Sequence, residues 1–175
     1  MNYQRLVDFL EQFSQTLVAT VDGITEDEAK WKPRSGNWSI LEVVCHLIDE
    51  ERDDFGVRLQ LTVEQPGVKW PSWDPEGAVT ARDYNSRNLG EMVKEFVEVR
   101  TKSVAWLRQL GEVDWSQKYE QLQTLPYLEA GSLLGSWVAH DQLHMRQIAK
   151  RKYELIQMYS KPFEVGYAGP WQESQ

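Results

Sequence analysis

The chain has 175 residues, 41% of them hydrophobic and 26% charged, with 27 acidic against 19 basic side chains and a formal net charge of −8. That length and composition suit one domain, 1–175, around one core, and exclude a fibrous or low-complexity chain. The acidic balance opposes nucleic-acid binding, and no stretch reaches the ~20 apolar residues of a membrane span. The N-terminus lacks a signal-peptide core and one cysteine excludes an internal disulfide, so a reducing cytoplasm is the expected compartment.

Leu6, Leu10, Phe13, Leu17 and Val21 recur every three or four residues and form the apolar stripe of a first helix, which Gly23 ends. Thr25 and Glu28 make a capping-box pair for a short helical turn closed by Pro33. Ser39 and Glu42 make a second capping box, which starts a long helix running to about Leu61. From 63 to 79 the periodicity stops. Pro66, Trp70, Pro71, Trp73 and Pro75 there predict a long, ordered loop, a length often reserved for lids and binding segments. A third helix begins near Asn88, with Glu91 completing a weaker cap. Its seam reads Met92, Phe96, Val99, Ser103, Trp106 and Leu110, and Gly111 stops it. A second loop covers 112–128 and leaves room for a minor strand. The fourth helix carries Leu133, Trp137, His140, His144 and Ile148 on one stripe. With no internal repeat and no sustained alternation of strand type, four long amphipathic helices predict an all-α four-helix bundle.

The chemistry concentrates on the three histidines of the chain. His140 and His144, four residues apart, share one helix face about one turn (~6 Å) apart, which lets two imidazoles bind one metal ion. Both fall on the apolar stripe, where unsatisfied ring nitrogens are costly and a shared cation satisfies both. His46 on the second helix supplies a third imidazole, leaving coordination positions open for a reactant. Glu50 lies one turn beyond His46, where it can orient that ring, ligate, or serve as a base. Asp49 and Asp53 read as a solvated acidic face, and Asp141, about 100° around the helix from His140, as a partner for a neighbouring helix. Cys45 reads as a small buried hydrophobe and Ser39 as a cap. Trp70 and Trp73 are placed to cover a pocket mouth from the Pro-rich loop.

Two segments carry a resemblance. The run from Asn37 through Trp38, Ser39, Glu42 and His46 to Leu47 resembles the W-S-x-x-E-x-x-x-H-L motif of the DinB-like, or YfiT-like, four-helix-bundle superfamily. His140, Asp141, His144, Gln147 and Ile148 resemble its H-D-x-x-H-x-x-Q-I signature, and the tail from Tyr167 to Trp171 is similar to the family's ending. The resemblance implies a divalent metal held by His46, His140 and His144. Relatives in that superfamily include metal-dependent hydrolases, bacillithiol or mycothiol S-transferases, and a mycothiol-dependent maleylpyruvate isomerase. The isomerase branch has a glutamate at one ligand position, and this chain departs from it with histidine at all three. The resemblance also implies a homodimer.

Three neutral imidazoles leave the double positive charge of the metal in place. Such a centre acidifies bound water or thiol, and imidazole suits zinc or nickel best, with manganese and iron(II) as further candidates. Two enzyme readings follow, with a small electrophilic molecule as substrate. In one, activated water attacks the substrate, making the protein a hydrolase. In the other, a low-molecular-weight thiol attacks as its thiolate, making it an S-transferase. In both, Glu50 is the candidate proton shuttle. The alternative class is a non-enzymatic bundle that uses the metal for packing or dimerisation.

Overall fold

The computed structural model describes residues 1–33, 37–120, 122 and 126–172. Four long helical limbs form the bundle: α1 (Tyr3–Val21), α3 (Ile40–Asp53) continued by α4 (Phe55–Glu64), α6 (Leu89–Gln109) and α7 (Ala130–Tyr159). Short helices α2 (Glu26–Lys30) and α5 (Pro75–Ala81) sit in the connections. α1 packs between α6 and α7; α3 packs mainly on α6, and α3 and α4 both contact α7, which closes the ring. Among the described residues no helix is long and apolar enough to cross a membrane.

The starts of these helices follow local chemistry. Thr25 with Glu28, and Ser39 with Glu42, form the two reciprocal capping boxes, each satisfying two N–H groups at a helix start. Asn88 accepts from the Glu91 N–H and opens α6. Gly23 has φ of +76°, a left-handed conformation that glycine adopts without strain, just after α1 ends.

The second helix is not continuous to Leu61. It breaks at Asp54, whose φ and ψ are −124° and −102°, and resumes as α4. A Cβ at Gly56 would lie 2.0 Å from the Glu51 carbonyl oxygen, so the bend depends on glycine there. The Pro-rich stretch also differs from a plain loop. Asp74 accepts from the Gly77 N–H and Pro75 occupies the first turn, which nucleates α5 inside it. In the second loop Lys118–Tyr119 (β1) pairs antiparallel with Leu128–Glu129 (β2). Residues 121 and 123–125 of that predicted loop lie outside the described residues.

The buried core divides into two apolar clusters. One gathers Phe13, Leu17, Ile40, Val44, Phe96 and Ile148. The other gathers Val7, Leu10, Leu59, Trp70, Leu107 and Trp137. Between them in helix order lie buried polar side chains: Glu50 and Glu51 on α3, Arg100 on α6 and Asp141 on α7. The buried residues of α6 are Leu89, Phe96, Val99, Arg100, Val104 and Leu107: of the expected seam Phe96 and Val99 are buried, Met92, Trp106 and Leu110 are partly buried against the core, and beyond Val99 the buried line shifts one step, from Ser103 and Trp106 to Val104 and Leu107. Arg100 lies at that shift, its burial favoured by ion pairs that no local pattern shows. The bundle thus places a charged layer across its middle, and the histidines open from that layer.

Candidate metal centre

His46 projects from the middle of α3, which is buried along most of its length, and is itself 3% exposed. His140 and His144 project from α7 and are partly buried. One ligand atom from each of the three rings falls within 4.8 Å of the others. Ring centroids lie 5.3 Å apart for His46–His140, 4.6 Å for His46–His144 and 4.3 Å for His140–His144. The structure therefore brings together the three histidines that the sequence singled out.

Each ring has an identifiable neighbour. The Trp38 ring lies 4.9 Å from His46 and parallel to His144 at 6.2 Å, and Phe55 lies 5.1 Å from His140. Nδ1 of His144 is 2.9 Å from Oε1 of Gln147, a contact that suits the tautomer in which Nδ1 donates and Nε2 presents its lone pair toward the other rings. Nε2 of His144 and Nε2 of His140 are 3.0 Å apart, near the ~3.3 Å that separates two nitrogens on a tetrahedral zinc with ~2.0–2.1 Å bonds. Nδ1 of His46 and Nδ1 of His140 are buried without a hydrogen-bond partner. The facing pair of Nε2 atoms, with a ring nitrogen of His46 within 4.8 Å of them, suits a shared cation, so the donor set fits a divalent metal.

Electrostatics agrees with that fit. Burial, reinforced by the other two rings, pushes His46 down to about 2. Burial, then His144 and Arg100, pushes His140 down to about 3, and burial lowers His144. All three rings are neutral at physiological pH, the form in which imidazole ligates.

Glu50 is 4% exposed. Its Oε1 accepts from the Trp73 indole N–H at 2.9 Å and lies 3.6 Å from Nδ1 of His46, on the rim of the cluster rather than within it. Burial outweighs the Trp73 hydrogen bond and raises its carboxyl to about 7, where both protonation states are populated at neutral pH. Asp49 is not on a solvated face: it is 6% exposed, takes a hydrogen bond from the Tyr84 hydroxyl and pairs with Arg82 at 2.7 Å. Asp53 also pairs with Arg82, at 2.8 Å. Cys45 is buried, and its thiol is pushed up to about 12 by desolvation, which makes it inert as a nucleophile. Ser39 caps α3, as expected.

Trp70 does not cover a pocket. It is 8% exposed, stacks on Tyr119 with centroids 3.7 Å apart, and donates from Nε1 to Thr62. The cavity over the histidines, about 450 Å³, is instead lined by Asn37, Leu143, Arg146, Gln147 and Trp171 together with His140 and His144. Trp171 comes from the tail and rests near Tyr153, at 5.6 Å.

Sequence reasoning missed the support beneath the site. Asp141, next to His140, receives two bonds from the Arg100 guanidinium, at 2.7 and 2.9 Å. Arg100 also donates to Glu51 at 2.7 Å and to the Leu10 carbonyl at 3.1 Å, and Trp137 donates to Glu51 at 3.0 Å. Asp141 is thus the interhelix partner its position suggested. Arg100 carried no such signal beyond being a cation on the inner side of a helix. Gln147 was visible as part of the second signature, though without a role.

Comparison with known proteins follows the same lines. A model of the DinB superfamily matches residues 10–148. YfiT of Bacillus subtilis, a probable metal-dependent hydrolase, is 22% identical over 145 residues, which cover 82% of this chain and 80% of that one. A solved structure of YfiT, described as having an unusual four-helix bundle topology, aligns with a TM-score of 0.78 at 19% identity over 87% of each chain.

Proposed function

We propose that this chain, which belongs to the DinB superfamily, is a metal-dependent hydrolase acting on a small electrophilic substrate through a centre held by His46, His140 and His144. The convergence of three neutral imidazoles, two of which, His140 and His144, line a cavity, carries this reading. The description of YfiT as a probable metal-dependent hydrolase supports it. A divalent cation there supplies Lewis acidity, which acidifies water or thiol and polarises a carbonyl. Zinc or nickel suits the all-imidazole donor set best, and manganese or iron(II) are further candidates.

The protein's own groups do the rest. Gln147 favours the tautomer of His144 that donates from Nδ1 and leaves Nε2 free. Glu50, poised near neutrality beside Nδ1 of His46, takes and returns a proton at the rim of the centre. Trp38 and Phe55 wall the rings with apolar surface and limit water around them.

Elemental analysis of protein purified without a metal-binding tag is the primary test. About one equivalent of metal is expected, with loss on His46→Ala or His140→Ala. Stoichiometric metal in a protein lacking all three imidazoles would refute the site. Loaded protein is then incubated with an activated ester, with and without a low-molecular-weight thiol such as bacillithiol. Hydrolysis without thiol is the expected result, and a conjugate formed only when thiol is present would replace hydrolysis with S-transfer. The homodimer is tested by sedimentation, where a single monomeric species would remove it from the proposal.

A further inference from the structure

The cavity over the histidines is unlike the rest of the molecule in charge. The chain holds 27 acidic and 19 basic residues. Yet among the described residues three of the nine that line this cavity are basic and none is acidic. The cations sit along one side of α7. Arg151 is buried and paired with Glu154 at 2.8 Å, so it belongs to the wall. Lys150 places its ammonium 5.5 Å from the centre of the Trp171 ring. Arg146 is partly exposed to the cavity, and no ion pair or hydrogen bond engages it among the described residues. Lys150 and Trp171 lie beyond the segment that matches the family model, and Arg146 falls on a variable position of the H-D-x-x-H-x-x-Q-I signature.

From the helix rise, Lys150 is about 9 Å along α7 from His144. The cavity thus runs along α7 from the imidazoles of His140 and His144 at one end to the Lys150 ammonium beside Trp171 at the other, with Arg146, only two residues from His144, between them in sequence and Leu143 also lining it. A planar guanidinium in a partly enclosed cavity is suited to bidentate binding of an oxyanion. A metal at the histidine end would add positive charge and draw anions toward the same opening.

We propose that the substrate carries a carboxylate or phosphate group, held in this cavity by Arg146, with Lys150 adding to the field. This rests on the cavity being the substrate site of the proposed enzyme, and it narrows the substrate class to anionic electrophiles. Arg146 is then a specificity-determining residue, positioning the reactive end of the molecule over the histidines.

The test is equilibrium binding by the full-length protein, as purified and again after chelator treatment. Succinate and inorganic phosphate are the two probes, followed by calorimetry and tryptophan fluorescence at low salt. Saturable binding of at least one probe is expected in both preparations, and the tighter probe tells carboxylate from phosphate. Arg146→Gln should weaken binding by about ten-fold, the scale of one charge-assisted hydrogen bond, and Arg146→Lys should restore part of it. Because Arg146 is partly exposed, neither change threatens the fold, and circular dichroism verifies that. His46→Ala separates the two proposals: anion binding that persists without metal supports the Arg146 site whatever becomes of the metal reading. Absence of saturable binding, equal affinity in Arg146→Gln, or binding that vanishes with the chelator would each overturn the inference.

Discussion

Replacing Arg100 with methionine removes the cation from the charged layer while keeping most of the side-chain volume. Arg100 is 1% exposed and makes four hydrogen bonds, three of them to the buried carboxylates of Glu51 and Asp141. Arg100→Met leaves both carboxylates uncompensated, a loss of about 3–5 kcal/mol. At this chain length that corresponds to roughly 6–20 °C in Tm. Burial already holds Asp141 above the ordinary carboxylate range despite Arg100. A carboxyl raised on folding is disfavoured as pH climbs from its unfolded value through its folded one, so its contribution declines with rising pH. Removing the guanidinium raises Asp141 further, so the deficit of Arg100→Met should be larger at pH 8 than at pH 5. Urea unfolding followed by tryptophan fluorescence at the two pH values reads both quantities. The triple change Glu51→Gln, Arg100→Met, Asp141→Asn should regain much of the loss, since no buried charge is left alone. A single variant within 1 kcal/mol of the parent at pH 8 would refute the assignment of Arg100 as the partner of both carboxylates.

Gly56→Ala puts a methyl group 2.0 Å from the Glu51 carbonyl oxygen, and a loss of about 1–3 kcal/mol is expected by thermal denaturation. The metal-free protein should lose stability as pH falls from 6.5, because His46 and His140 titrate far lower folded than unfolded and must stay neutral. Each ring contributes up to ~2 kcal/mol between pH 6.5 and 5, and a flat Tm over that interval would contradict the burial of the rings. For the same reason, metal release monitored by a chelating dye should fall at lower pH than the ordinary histidine range, where exposed imidazoles give up their ions. Glu50→Gln should retain metal while the turnover of an activated ester falls by about 10²–10⁴-fold, and unchanged turnover would remove Glu50 from proton transfer.

The bundle and its imidazoles were legible because both rest on short-range pattern. Ser39 with Glu42 fixes where α3 starts, and that start determines that His46 faces inward. The i, i+4 pair on the apolar stripe of α7 is equally local. What escaped depends on distant partners. Trp70 reads as a loop residue until Tyr119, 49 positions away, stacks on it. No local pattern singles out Arg100 until Glu51 and Asp141 surround it, and its burial goes with the one-step shift of the later half of the α6 seam. The break at Asp54 was hidden because helical periodicity persists through α4, and a glycine inside a helix costs only ~1 kcal/mol, too little to mark a kink. Gln147 lay inside a recognisable signature, but its contact with Nδ1 of His144 becomes visible only when the helix is built.

One guanidinium touches every limb of the bundle: it sits on α6, reaches a backbone carbonyl of α1, and grips carboxylates of α3 and α7. Aliphatic seams tolerate sliding, because one leucine replaces another at little cost. Here a slip of one turn, ~5.4 Å, would leave that cation and both anions stranded in hydrocarbon. The arginine therefore works as a key that admits a single alignment of the four rods, and the meeting point of the imidazoles is inherited from that alignment.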